Sequence, residues 1–207
     1  MVFQLFARTQ EYQSLSEIHP MPLQRLYEHW RNACFVGNVP RQRDVTPTRV
    51  PECISNIAFV GIEQNPARAR YIIIGYKLRQ LLGRDPSGMT VEEAYSKSVS
   101  REIYEAFGKT VRSRNATFYK REFIILGQRF CYYRLILPLR LEDERVSRLL
   151  IGIYPTDENL ADSKPWQRAL SKLKHGNRAT SPESVQGVDE AWDDSMLEDG
   201  TVKTTQP

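Results

Sequence analysis

Residues 117–137 read TFYKREFIILGQRFCYYRLIL, and this stretch decides the fold class. Two runs rich in aromatic and β-branched residues, Thr117 to Leu126 and Arg129 to Leu137, are joined by Gly127-Gln128. That is the composition of two antiparallel strands and a tight turn. In the second run Cys131, Tyr133, Leu135 and Leu137 alternate with Phe130, Tyr132, Arg134 and Ile136. Successive strand side chains point to opposite faces. The first set is free of charge and is therefore expected on the core face. After the charged loop Arg140 to Arg145, the segment Arg148 to Tyr154 reads as a third strand.

Upstream of this hairpin the period changes. Val99, Ile103, Phe107 and Val111 recur at steps of four, with Tyr104 and Ala106 beside them, which predicts a helix. Before it, Thr90-Val91-Glu92-Glu93 has capping-box spacing, and Leu78, Leu81 and Leu82 share a helical face that stops at Gly83. Ile57 to Ile62 and Tyr71 to Ile74 read as two more strands, with Asn65-Pro66 as the turn between them. The expected architecture is α+β, a five-stranded antiparallel sheet with helices on one face.

An amphipathic helix precedes the sheet. Leu23, Leu26, Tyr27 and Trp30 fall on one face, continued by Ala33 and Cys34. Pro20 and Pro22 suit its start and Gly37 its stop. A connector, VPRQRDVTP at 39–47, is too punctuated for helix or strand. The helix must bury its stripe, either on its own sheet or against the same helix of a second subunit. The organisation is thus an N-terminal extension (1–20), a domain including the helix (21–155), and a tail (156–207). Trp166, Leu170 and Leu173 would make a short basic helix, and from Gly176 the composition predicts disorder. Within that tail Trp192 stands among acids, as a docking motif or a solubilising segment.

The 207 residues are 41% hydrophobic and 26% charged, which fits a globular chain. The net charge of +4 divides unevenly: six basic and eight acidic residues from Ala161 onward leave +6 on the body. That balance suits an acidic partner, but no recognition helix or aromatic RNA-binding pattern accompanies it, so no nucleic acid is expected. No apolar run reaches the ~20 residues of a membrane span, and the N-terminus lacks a leader pattern, so the expected compartment is the cytoplasm. Three scattered cysteines, Cys34, Cys53 and Cys131, argue against a disulfide framework or a zinc ribbon.

The order strand–strand–helices–long helix–three strands resembles the PAS fold. Four motifs narrow the likeness to bacterial stand-alone PAS proteins. They are the Tyr/Trp helix LYEHWRNA (26–33), the connector VPRQRDVTP, the turn GRDPSGM (83–89), and Leu137-Pro138-Leu139 followed by an acidic turn. The likeness spans Leu23 to Tyr154. It implies a sensory or interaction module rather than an enzyme, with a small-molecule pocket between sheet and long helix and dimerisation through the N-terminal helix.

Residue by residue, no catalytic or metal site is expected. A nucleophile elbow, a Walker loop and a His-Glu-x-x-His motif are all missing. Haem is not expected, because His19, His29 and His175 fall outside the pocket elements. Flavin photochemistry is not expected either, and the protein should be colourless. Ile103, Tyr104 and Phe107 on the long helix, with Tyr133 and Leu135 on the sheet, are the pocket candidates. The other reading of these five is a filled core. The function expected is a non-enzymatic PAS-type regulatory module acting on a protein partner in trans, gated by a small metabolite. The alternatives are an enzyme on the same fold or a nucleic-acid-binding regulator.

Overall fold

Pro22 near the start of its first turn needs no amide partner there, and from it helix α1 (Met21–Ala33) runs to Cys34. The computed structural model describes residues 6–12, 20–34, 39–64, 67–125, 128–157, 160, 163, 164 and 166. In chain order the elements are β1 (Phe6–Glu11), α1, β2 (Ile57–Gln64), β3 (Ala67–Ile74), α2 (Tyr76–Leu82), α3 (Val91–Ala94), α4 (Lys97–Ser113), β4 (Thr117–Ile125), β5 (Gln128–Leu139) and β6 (Arg148–Pro155). The connector that looked irregular winds into short 3-10 turns at Gln42–Asp44 and Pro47–Arg49, and a third spans Pro51–Asn56.

The α+β antiparallel sheet is as expected, but it has six strands rather than five, in the order β1-β4-β5-β6-β2-β3. The added strand is β1, from the stretch assigned to an N-terminal extension; it pairs with β4 from Phe6↔Ile124 to Glu11↔Tyr119. Its sequence, FARTQE, carries little apolar alternation, and the pairing partner lies more than a hundred residues away. Packing also continues past residue 155. The Trp166 indole donates to the Leu81 carbonyl at 2.8 Å, and its ring meets Phe130 at 4.8 Å. Other tail residues, Trp192 among them, lie outside the described residues.

Both faces of the sheet are covered. On one, α2 to α4 enclose Val60, Tyr71, Leu78, Val91, Tyr104, Phe107, Ile136 and Ile151. On the other, Leu23, Leu26 and Trp30 of α1 lie against Phe59, Phe118, Leu135, Leu137 and Leu150. The expected single core face of β5 is therefore corrected: Leu135 and Leu137 bury beneath α1, while Ile136 and Arg134 bury on the α4 side. A strand covered on both faces loses the polar half of its alternation. The α1 stripe, a dimer face in one reading, is buried against its own sheet, with Leu23 and Leu26 fully inaccessible and Tyr27 partly so.

Two details fix α1 in place. A Cβ on Gly152 would stand 2.4 Å from Leu23 Cδ2 and 3.2 Å from Leu26 Cδ2, so any side chain there would force the buried Leu23 to shift. The Trp30 indole donates to the Pro138 carbonyl at 2.9 Å. Pro138 is tolerated in β5 because the β4 ladder ends at Thr117↔Ile136, which leaves that edge with no amide to supply. On the opposite face the capping box of α3 forms in full, Thr90 N to Glu93 Oε2 at 2.7 Å and Glu93 N to Thr90 Oγ1 at 3.3 Å. The 83–89 stretch is a turn, with Gly83 and Gly88 at positive φ and Asp85 accepting from the Ser87 amide.

Adding a methyl group at Gly152 should therefore overpack the α1 face. Gly152→Ala is expected to lose about 1–3 kcal/mol in urea unfolding. Leu26→Glu should lower the midpoint equally at every protein concentration, because the buried face lies within one subunit. Cys53 reports on the same contact. Its thiol donates to the Pro22 carbonyl at 3.1 Å, and burial pushes it from its ordinary 9.0 to about 11. A folded value above the unfolded one contributes stability present below the unfolded pKa and lost as pH rises from there through about 11. Thiol labelling at pH 8 should leave Cys53 unmodified in the native protein, and Leu26→Ala should accelerate its labelling.

Candidate functional site

The residues expected to line one pocket do not share a face. Ile103, Tyr104 and Phe107 point from α4 into the helix-side core. Tyr133 and Leu135 belong to the α1 side, where Tyr133 stacks on Phe118 at 5.8 Å and 8°. All three are buried in that core cluster. Tyr104 acts as a bolt between elements: its hydroxyl donates to Glu92 Oε1 at 2.6 Å and accepts from the Ala69 amide at 3.1 Å. Burial and the Glu92 carboxylate together push its pKa well above the usual phenol value.

The helix-side cavity lies one row over on α4, toward β1. It measures about 210 Å³. Thr9 and Glu11 of β1 form one wall and Glu102, Glu105, Ala106 and Lys109 of α4 the other. The floor is sheet: Tyr119 and Arg121 of β4, and Arg134 of β5. Strand register explains the arrangement. Glu11, Tyr119 and Arg134 are successive cross-strand partners on one row, and Thr9, Arg121 and Tyr132 form the next. Glu102, Ala106 and Lys109 then meet these rows at helical spacing.

The electrostatics of this cavity are uneven. Arg121, 6% exposed, is paired with Glu102 and reaches the Tyr132 hydroxyl at 3.5 Å. Burial opposes its charge, but Tyr132 and Glu102 outweigh that and raise its pKa. At the mouth, Lys109 Nζ meets Glu11 Oε2 at 2.5 Å, and this contact raises the lysine pKa. Arg134 is different. It is also 6% exposed, yet it makes no ion pair or hydrogen bond among the described residues, and its Nε is buried without a partner. Its guanidinium lies 5.1 Å from the Tyr119 ring centre. Burial raises the pKa of Tyr71, Tyr95 and Tyr119, and the Arg134 charge works against that rise in all three.

Sequence reasoning missed Arg134 because it sits in the strand set assigned to the outer face. The available signal was its company: Phe130, Tyr132 and Ile136, on the same face, are too apolar for a solvated surface. Of the histidines, His29 lies on α1, across the sheet from the cavity. Among the described residues no group of three His, Cys, Asp or Glu is placed to hold a metal. No described helix is long and apolar enough to cross a membrane.

No curated protein matches the chain. Among solved structures, the PAS domain of Bordetella pertussis BvgS is 19% identical, with a TM-score of 0.42, and the match covers 59% of this chain and 89% of that one. An RNA-binding Light-Oxygen-Voltage receptor is 12% identical, with a TM-score of 0.39, over 87% of this chain and 46% of that one. The family model described as a PAS domain matches residues 18–154, from just before α1 to the end of β6. The chain belongs to the PAS domain family.

Proposed function

We propose that this protein is a non-enzymatic regulatory PAS module acting in trans, whose state is set by a small ligand beside α4 and passed on through protein contacts. The observation that carries the reading is the cavity between α4 and the sheet, walled by the N-terminal strand and floored by a buried guanidinium. Because β1 supplies one wall, ligand occupancy and the seating of β1 belong to one equilibrium, which is what a sensor needs.

The surface that would carry the output lies at the far edge of the sheet. A bulge in the β2–β3 ladder pairs Phe59 with Ile73 and Val60 with Tyr71, so Ile72 has no partner of its own. Ile72 and Ile73 are exposed there, as are Ile54 and Tyr76 at the neighbouring turn and helix start. Since Leu23, Leu26 and Trp30 lie on their own sheet, a homodimer would have to use this surface or another, not the α1 stripe.

The nucleic-acid reading has less support. Arg70, Arg79, Lys109, Lys120 and Arg121 are each paired with a carboxylate, which leaves them poorly disposed toward phosphates. The enzyme reading would place acid and base within reach of one substrate atom, whereas the acids facing this cavity at Glu11 and Glu102 are bound to cations.

A thermal-shift screen of the full chain against a metabolite library tests the reading. The expected outcome is a small set of ligands that raise Tm by several degrees without being consumed, an effect removed by Ala106→Leu, which fills the cavity. Turnover of a hit that depends on cavity residues would replace the sensor with an enzyme. Steeply salt-dependent binding of DNA or RNA would replace it with a nucleic-acid regulator.

A further inference from the structure

We propose that the cavity beside α4 is a receptor for a compact oxyanion, a small carboxylate or phosphate compound, with Arg134 as its principal contact. This rests on the ligand-gated reading above and names the ligand's chemical class.

The argument begins with the cost of Arg134. A charged side chain moved out of water needs a counter-charge or a full set of hydrogen bonds. Arg134 is 6% exposed, and among the described residues it has neither. The Tyr119 ring at 5.1 Å offers a cation–π contact but accepts none of the guanidinium's five N–H donors in their plane. A planar fork of donors facing a cavity is complementary to a carboxylate or phosphate, which it binds through two parallel hydrogen bonds.

The local acids do not meet this need. Glu102 is held by Arg121. Glu11 lies on the same cross-strand row as Arg134, yet its carboxylate turns to Lys109 at 2.5 Å. Glu105 is on the exposed side of the α4 rim. With both ion pairs made, the lining charges left over are Glu105 on the exposed rim and Arg134 below it, and of these two only Arg134 is buried. Arg121, on the adjacent strand, also lines the cavity but is engaged by Glu102, which leaves Arg134 as the guanidinium without a carboxylate partner.

Size narrows the ligand. At about 210 Å³ the cavity is smaller than the ~300–1,000 Å³ typical of drug-sized ligands. It suits a compact acid or a single phosphate group. The Glu11–Lys109 pair stands at the β1 wall, so an anion that draws Lys109 inward would release Glu11 and loosen β1.

The test is calorimetric titration and thermal melting of the full chain with succinate, inorganic phosphate and, as controls, chloride and a neutral diamide of succinate. Succinate or phosphate should bind and raise Tm at low-millimolar concentration, while chloride and the diamide should not; the stronger of the two anions identifies carboxylate or phosphate. Arg134→Met should weaken that binding by at least about tenfold. It should also raise the Tm of the ligand-free protein, because it removes an unpaired buried charge while keeping volume. Arg134→Lys should retain part of the affinity.

A wild-type protein that ignores both anions overturns the proposal whatever the variants do. So does an anion response that survives intact in Arg134→Met. If a neutral metabolite from the library binds in an Ala106-dependent way while the anions do not, this proposal falls and the ligand-gated reading stands. If neither class binds, both fall.

Discussion

Leu23 of α1 occupies the space that a side chain on Gly152 would need, 2.4 Å from an added Cβ, and the rest of the structure depends on that contact. It lets a helix lie directly on the middle of the sheet, over the strands that pair Gly152 with Ile57 and Leu135. With α1 there, the sheet has no solvated face at its centre. Leu135 and Leu137 go to one core, Ile136 and Ile151 to the other, and the strands between them are apolar on both sides. Trp30 then closes the arrangement by donating to Pro138 at the point where β5 loses its β4 partner.

Covering both faces has a consequence for charge. In a sheet with one wet face, Arg134 would point into water. Here the residues on its side of β5 are enclosed by α2 to α4, and the arginine is enclosed with them. The centre of that core is packed by Tyr104, Phe107 and Leu149. Toward β1 space is left, where the small Ala106 lines the cavity and the strand contributes Thr9 and Glu11 in place of apolar side chains. The cavity is thus off-centre. One wall is β1, which is paired with β4 along its length and tied to α4 by the Glu11–Lys109 ion pair, of the exposed kind that stabilises by less than ~1 kcal/mol.

Much of the fold was legible in local chemistry. The steps of four in α4, the Thr90–Glu93 capping box, the β4–β5 hairpin and the stripe of α1 each depend on residues close in sequence, and each forms as read. What was not legible depends on distance. Strand β1 has no strong pattern of its own and is specified by pairing with β4 far along the chain. Trp166 looked like part of a loose tail helix until Phe130 and the Leu81 carbonyl came to meet it. The face assignment of β5 misled because absence of charge marks a core face only when the other face is wet. That one assumption grouped Tyr133 and Leu135 with Ile103 and Phe107, which lie across the sheet from them, and it hid Arg134.

Native-state hydrogen exchange across the full chain tests most directly the claim that α1 is an integral layer of the subunit. If α1 closes the second core, the amides around Leu26 and Trp30 should exchange only through global unfolding. Their opening free energy should then match that of Leu135 to Leu137 in β5 and of Leu149 to Ile151 in β6. The same agreement should persist on dilution. Opening of α1 alone at a much lower free energy, with β5 and β6 still protected, would contradict the account, because the sheet would then stand without its second cover and the inward placement of its strands would need another cause.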